Sequence, residues 1–173
     1  MHRCGAIWVI VGWFAVTVNK MSNSGTSTQI YNSIYRHGVD EKRRIQIPAM
    51  WRPVEAGVQL TLIVWPQRIE GPCLRVLPPK EMAELMASLD AMPNGDRNKT
   101  ILKRIIGAES TQVTLDKAGR ICVPEEMSRA AGIEKEATLV GLLDRFESWD
   151  PARYEKVKAA DAVMATEAFK MME

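Results

Sequence analysis

Two aspartate–arginine pairs have the residue types and the spacing for binding an anion. Asp40 lies four positions before Arg44, and Asp116 lies four positions before Arg120. An arginine on a turn between strands projects from a rigid support, and its planar guanidinium can bind a phosphate or a guanine edge through two hydrogen bonds. Alternatively, the two residues of each pair bind one another and fix the turn, because exposed ion pairs are common and contribute little. The spacing leaves both interpretations open.

Both pairs belong to a segment that occurs twice. The first copy spans residues 39–48 and the second spans residues 115–124, and both read apolar-Asp-x-x-x-Arg-apolar-x-apolar-Pro. Segments rich in β-formers follow each copy, at 61–64 and 73–78 in the first half and at 138–141 and 145–150 in the second. A segment that recurs with the same followers predicts two copies of one small β unit.

The elements that position the pairs can be predicted from alternation and from turn residues. Residues 45–47 and 121–123 alternate as short strands that end at a proline, and each Asp-x-x-x-Arg segment is the turn before its strand. Gly119 supplies a positive φ in the second turn, and Cys122 should face away from its two apolar neighbours. Helices are predicted over residues 79–92, 98–106, 125–132 and 151–172, with Met82, Leu85, Met86 and Leu89 inward in the first and Tyr154, Val157 and Val163 inward in the last.

Composition excludes several classes of protein. The chain has 173 residues, 23 basic and 21 acidic residues, three cysteines and two histidines. The odd, sparse cysteines exclude a disulfide scaffold and indicate a reducing compartment. Without a Cys-x-x-Cys pair the usual zinc sites are excluded, and no phosphate-binding P-loop, nucleophile elbow or metalloprotease motif occurs. We therefore expect no enzyme, no metal and no cofactor. Positive charge is local, with five basic and two acidic residues between positions 36 and 52.

The N-terminal extension, residues 1–28, begins with an uncharged apolar run at residues 5–18. Fourteen residues span about 21 Å as a helix, which is short of the roughly 30 Å core of a bilayer. We interpret the run as dispensable, with translation starting at Met21. The alternatives are a signal peptide or membrane anchor, which would make the protein envelope-associated, and a strand or helix that packs on the body.

In order along the chain, several short motifs resemble the MraZ family of regulators of the division and cell-wall gene cluster. Residues 115–124 match its second repeat closely, and the matches continue at 131–133, 140–141 and 144–150. Residues 31–40 and 73–78 resemble its first repeat, with Tyr31 and Ser33 where Phe and Gly are usual. In the first loop the family has Asp-x-Lys-Gly-Arg, and Arg43 replaces that glycine. A left-handed conformation there would cost roughly 1 kcal/mol.

The resemblance implies a mainly β fold with helical additions, built from two tandem AbrB-like units of the swapped-hairpin or double-ψ type. The expected parts are the extension at 1–28, a first SpoVT-AbrB domain at 29–79, interdomain helices at 80–107, a second domain at 108–151 and a C-terminal helix at 152–173.

The resemblance also implies a cytoplasmic, nucleoid-associated repressor of its own gene cluster that binds double-stranded DNA. Arg44 and Arg120 would contact DNA, Lys42, Arg43 and Lys117 would neutralise phosphates, and Asp40, Asp116 and Gly119 would orient the loops. A ring of identical subunits would present many loops to short direct promoter repeats. The alternatives are an AbrB-like antitoxin and a ring-forming assembly protein that does not read DNA sequence.

Overall fold

Strands and helices alternate along the part of the chain that the computed structural model describes, residues 29–66 and 71–172. The elements are β1 (Ile34–Gly38), β2 (Arg44–Gln46), a 3-10 turn (Ala49–Trp51), β3 (Leu60–Trp65), β4 (Cys73–Leu77), α1 (Pro79–Ala91), α2 (Arg97–Ala108), β5 (Ser110–Val113), β6 (Arg120–Cys122), α3 (Glu125–Ala131), β7 (Glu136–Gly141), β8 (Phe146–Trp149) and α4 (Pro151–Lys170). The expected mainly β fold with helical additions is confirmed. The interpretation of the N-terminal extension, residues 1–28, lies outside the described residues.

The two repeats share one antiparallel sheet instead of closing on themselves. Its six strands are ordered β1-β7-β8-β4-β3-β5, so the first strand of each repeat pairs with the third strand of the other. A second sheet consists of β2 paired with β6. The domain boundaries expected at 79/80 and 107/108 remain predictions, and the shared sheet ties both repeats into one framework.

An approximate two-fold axis relates the repeats. Ile45 faces its repeat equivalent Ile121 across β2 and β6, and Arg75 faces its equivalent Glu147 across β4 and β8. When equivalent residues face one another, the symmetry axis passes between them. It therefore runs through the middle of both sheets, and the two Asp-x-x-x-Arg turns lie on either side of it.

The main core fills the space between the two sheets. Ile45, Ile121, Trp51 and Phe146 are all buried there, and the strands of both repeats contribute. A smaller core on the other face of β3 and β4 joins Ile63 and Leu77 to Leu89 of α1 and Ile106 of α2. These cores hold the short strands that precede and follow the turns.

The four predicted helices are present, with two differences in burial. Asp96 and Asp150 cap α2 and α4 by accepting backbone hydrogen bonds from Asn98 and Arg153. The expectation that Val163 faces inward is wrong, because its side chain is 83% exposed on the half of α4 that extends beyond the sheet, and Met86 is likewise exposed on α1. No helix within the described residues is long and apolar enough to cross a bilayer.

Candidate nucleic-acid interface

The first loop, residues 40–44, is a tight turn built around one carboxylate. Asp40 Oδ1 accepts hydrogen bonds from the amides of Lys42 and Arg44, both at 2.9 Å. Asp40 Oδ2 accepts a hydrogen bond from Nε of Arg44 at 2.7 Å. The amide of Arg43 donates to the Asp40 carbonyl at 2.8 Å and closes the turn. One side chain thus fixes the backbone and orients the guanidinium.

The second loop, residues 116–120, repeats this geometry. Asp116 Oδ1 accepts from the amides of Ala118 and Arg120 at 2.9 and 3.0 Å, and Oδ2 accepts from Nε of Arg120 at 2.9 Å. The amide of Gly119 closes the turn on the Asp116 carbonyl at 2.8 Å. Equal geometry in two separate segments follows from their equal spacing of aspartate and arginine.

Each loop is bound to the strand that follows the other loop. The amide of Ile47 donates to the Gly119 carbonyl, and the amide of Val123 donates to the Arg43 carbonyl, both at 3.0 Å. The Gln46 side-chain amide donates to the Ala118 carbonyl, and the Cys122 thiol lies 3.3 Å from the Lys42 carbonyl. The two loops therefore form one rigid surface. Cys122 faces out from β6, as predicted, while both of its neighbours in sequence are buried.

The four charged side chains of the loops form an Asp/Arg cluster across the two-fold axis. Arg44 also lies 4.0 Å from Asp116, and Arg120 lies 3.7 Å from Asp40. Backbone hydrogen bonds from Arg44 and from Arg120, helped by the side chains of the same arginines, hold the pKa values of Asp40 and Asp116 below their usual range. The cluster is uncharged in sum, so its position within the loops does not by itself create a positive surface.

Positive charge comes from residues around the Asp/Arg cluster. Lys42 and Lys117 are exposed at the loop tips. Arg43 occupies the left-handed region at φ 55°, where the second loop has Gly119 at φ 77°. The Arg43 guanidinium lies 3.6 Å from Glu125 at the start of α3. The structure thus brings together all eight residues expected at the site.

Arg52 also lies on this surface, but the sequence did not predict it as a site residue. Its Nε donates to the Ile47 carbonyl at 2.9 Å, and its guanidinium covers Gly119 so closely that a Cβ on that glycine would overlap it. The sequence shows Arg52 within a basic stretch, but its contact joins the two repeats and depends on the shared sheet. No local pattern could have indicated it.

The basic residues of α2 lie in a different environment. Lys99 donates to the carbonyls of Asp90 and Met92, and Lys103 pairs with Asp90 at 2.6 Å. These two lysines connect α2 to the end of α1.

A cationic surface with paired arginines at its centre is therefore a feature of the loops, and such a surface suits a polyanion with repeated phosphates. The described residues contain no group of histidine, cysteine and carboxylate side chains arranged for a metal.

Comparisons with known proteins give a consistent result. A family model described as "MraZ protein, putative antitoxin-like" matches residues 106–172. A transcriptional regulator MraZ of Roseiflexus sp. (strain RS-1) is 32% identical over 141 residues, which cover 80% of this chain and 94% of that protein. Proteins of the same name from Ruegeria sp. (strain TM1040) and Rickettsia rickettsii (strain Sheila Smith) are 30% and 28% identical, over 73% and 80% of this chain and 80% and 93% of theirs.

Proposed function

The chain belongs to the MraZ family of transcriptional regulators, and from this premise we propose that it regulates transcription by binding specific DNA sequences through its first and second loops. The observation that carries the proposal is the convergence of both loops on one surface, where paired arginines lie among basic side chains. Each loop has a strand behind it and hydrogen bonds to the other repeat, so the arginines project from a rigid base. Rigid placement is what reading a base edge requires.

The roles within the surface follow from the charge of each group. Asp40 holds Arg44 through Nε, and Asp116 holds Arg120 through Nε and Nη2. The remaining terminal nitrogens of the two guanidinium groups are left to meet a base edge. Lys42 and Lys117 are exposed and carry flexible point charges suited to phosphates. Asp40 and Asp116 orient the arginines and do not themselves approach phosphate, since like charges repel.

We further propose that the protein acts as a homo-oligomer, cytoplasmic and associated with the nucleoid, that represses its own division and cell-wall gene cluster. Each base contact discriminates against the wrong base by only about 1–3 kcal/mol. Several subunits bound to short direct repeats would supply the remaining specificity. The distal half of α4 supports self-association, because Val163, Met164 and Phe169 are all exposed there.

A second candidate is an antitoxin, which the description of the matching family model favours. An antitoxin of the AbrB type would use a segment beyond its β unit to bind a toxin. In this chain residues 151–170 form a helix whose first turns pack on the sheet, not an extended segment. We therefore place the regulator first. The assembly protein without DNA reading remains the third candidate and is separated by the same experiment.

Fluorescence anisotropy tests the proposal with labelled DNA from upstream of the chain's own gene and a scrambled duplex across a salt series. We expect tight, salt-sensitive binding to the native duplex alone. Arg120→Ala should weaken that binding by about 10-fold or more, because a base contact is worth about 1–3 kcal/mol. Arg104→Ala, which removes the same charge from α2, is the matched control. Equal binding to both duplexes, or equal affinity of the Arg120 variant, would contradict the proposed role.

A further inference from the structure

Arg52 and Arg43 place one guanidinium at the corner of each loop by different routes. In the first loop the corner residue is Arg43 itself, in the left-handed region. In the second loop the corner residue is Gly119, and the side chain covering it is that of Arg52 from the other repeat. A side chain at position 119 would begin where the Arg52 guanidinium lies. Each loop corner therefore has a guanidinium next to it, although only one corner residue is an arginine.

The two repeats differ at the position of Arg52 as well. Its equivalent in the second repeat is Ser128, which is buried and donates its hydroxyl to the Ile133 carbonyl. Ser128 does not reach the first loop, so nothing equivalent to Arg52 competes with Arg43 for its corner. Each loop thus gains one positive charge: the first from Arg43, which stands where the family has glycine, and the second from Arg52, which lies over Gly119.

We infer that Arg43 and Arg52 form a second pair of DNA contacts, which anchor one phosphate beside each loop, and that Arg52 also positions the second loop. This inference rests on the proposed function and names the phosphate contacts of the same surface. The geometry assigns phosphates, not bases, to this pair, because neither guanidinium belongs to the Asp/Arg cluster: that of Arg52 lies over Gly119, and that of Arg43 lies beside Glu125.

The hydrogen-bonding state of the two side chains supports a phosphate role. Arg52 uses only Nε, toward the Ile47 carbonyl, and within the described residues its two terminal nitrogens have no hydrogen-bond partner. The Arg43 Nε is buried, and within the described residues its guanidinium forms one ion pair, through Nη1 with the exposed Glu125. An exposed pair at 3.6 Å is weak enough for a phosphate to replace it. Arg44 and Arg120, in contrast, are already balanced by aspartates.

The inference also bears on Gly119, because a side chain there would displace the Arg52 guanidinium. Its positive φ favours glycine, and in addition the Arg52 guanidinium occupies the space of a Cβ. Because one corner is built by its own residue and the other by a residue from the opposite repeat, the two loops are not interchangeable. The surface therefore has a direction, which a protein that reads direct repeats requires.

The salt dependence of DNA binding tests this pair. Each phosphate contact contributes about 0.9 to the slope of log K against log salt concentration on duplex DNA. We expect Arg43→Gly and Arg52→Gln each to lower the slope on the native duplex by about 0.9 for every subunit bound, and the double variant to lower it by about twice that amount. Arg104→Ala should leave the slope unchanged. Arg52→Lys should retain the wild-type slope, because lysine also binds phosphate.

Amide hydrogen exchange then separates positioning from charge. Arg52→Lys and Arg52→Gln should both speed exchange at the Gly119 amide, because neither can cover the glycine and bind the Ile47 carbonyl as arginine does, whereas Arg43→Gly should not. An unchanged slope in Arg52→Gln, or a slope in Arg52→Lys as low as in Arg52→Gln, would overturn the inference alone. If the wild-type protein binds neither duplex, the proposed function and the inference both fail. Equal wild-type binding to both duplexes with the expected slope changes would leave the phosphate contacts and refute sequence reading.

Discussion

At the scale of single residues, the carboxylates of Asp40 and Asp116 do two things at once. One oxygen accepts backbone amides and fixes the turn, and the other accepts the arginine Nε and fixes the guanidinium. The choice posed by the sequence, between an ion pair that fixes a turn and an arginine poised for an anion, is therefore not exclusive. An arginine held by its Nε loses less side-chain freedom when a ligand binds, which favours affinity.

Arg43 has a side chain although its backbone lies in the left-handed region, and this conformation lowers the stability of the folded protein. Its φ of 55° belongs to a conformation that costs a non-glycine residue roughly 1–2 kcal/mol. Arg43→Gly removes this strain, while the greater freedom of glycine in the unfolded chain offsets about 0.5–1 kcal/mol of the gain. We expect the free energy of unfolding in urea to rise by about 0.5–1 kcal/mol. Gly119→Ala should lower it, since φ is also positive there and Arg52 fills the space. A fall in stability for Arg43→Gly would show that its ion pair with Glu125 outweighs the strain.

Glu81 is a buried carboxyl whose ionisation opposes folding. Burial, and then the nearby charge of Asp144, raise the pKa of Glu81 above its usual value. A carboxyl with a raised pKa in the folded state binds its proton more tightly there than when unfolded. The contribution of Glu81 to stability is therefore greatest below its unfolded pKa and falls as pH rises through its folded pKa. We expect Glu81→Gln to increase the free energy of unfolding at pH 7, with the gain shrinking toward pH 4. Glu84→Gln, one turn further along α1 and exposed, removes a charge that helps to raise the Glu81 pKa, and should give a smaller gain of the same sign.

At the scale of elements, local signals predict the turns and helices but not the pairing of the strands. The turns follow from Asp-x-x-x-Arg, and the prolines at 48 and 124 end the strand segments. The pairing of β2 with β6 is different, because three residues are too few to form a stable strand without a partner from the other repeat. Strand order depends on contacts between residues far apart in sequence, so Arg52 over Gly119 could not be predicted. The exposure of Val163 was missed because helical spacing does not show where a helix leaves the body.

The stability of the β2–β6 pair should depend on the residues that lie on the two-fold axis. Ile121 is buried against both sheets. Ile121→Ala leaves a cavity and is expected to cost about 2–5 kcal/mol of stability, measured by urea unfolding. Ile45→Ala should cost a similar amount, because symmetry gives it the same surroundings. Cys122→Ala changes the neighbouring residue on the exposed side and should stay within about 0.5 kcal/mol. Equal losses of stability in Ile121→Ala and Cys122→Ala would contradict the placement of the two-fold axis at the centre of the core.

At the scale of the whole molecule, the symmetry of the sheets does not extend to the helices. The first repeat is followed by α1 and α2, which pack on one another and on the sheet through Leu89 and Ile106. The second repeat is followed by α4 alone, whose first turns contact β7 and whose last ten residues within the helix are almost entirely exposed. The surface that α2 supplies for α1 therefore has no counterpart on α4 within the described residues.

This unequal covering predicts self-association through α4. Val163 and Phe169 are 83% and 69% exposed, and Leu102 and Ile105 of α2 form a second exposed apolar site on the same chain. Contact between two different surfaces of identical chains is head-to-tail, which closes into a ring when the rotation allows. We expect the wild-type protein to sediment at a multiple of 19.4 kDa and the Val163→Glu/Phe169→Glu variant to approach the monomer mass, because charges placed in an apolar contact oppose association.

DNA binding connects this assembly to the loops. If several subunits share one promoter, loss of the oligomer should weaken binding to the native duplex by roughly 10²–10⁴, although no loop residue is changed. Ala159→Glu, which adds a charge to the exposed middle of α4 before the apolar end, should leave both mass and affinity unchanged. A variant that becomes monomeric and still binds with wild-type affinity would place all the specificity in the two loops of one chain. A wild-type protein already monomeric at 19.4 kDa would remove the head-to-tail contact, because the exposed end of α4 would then have another partner or none.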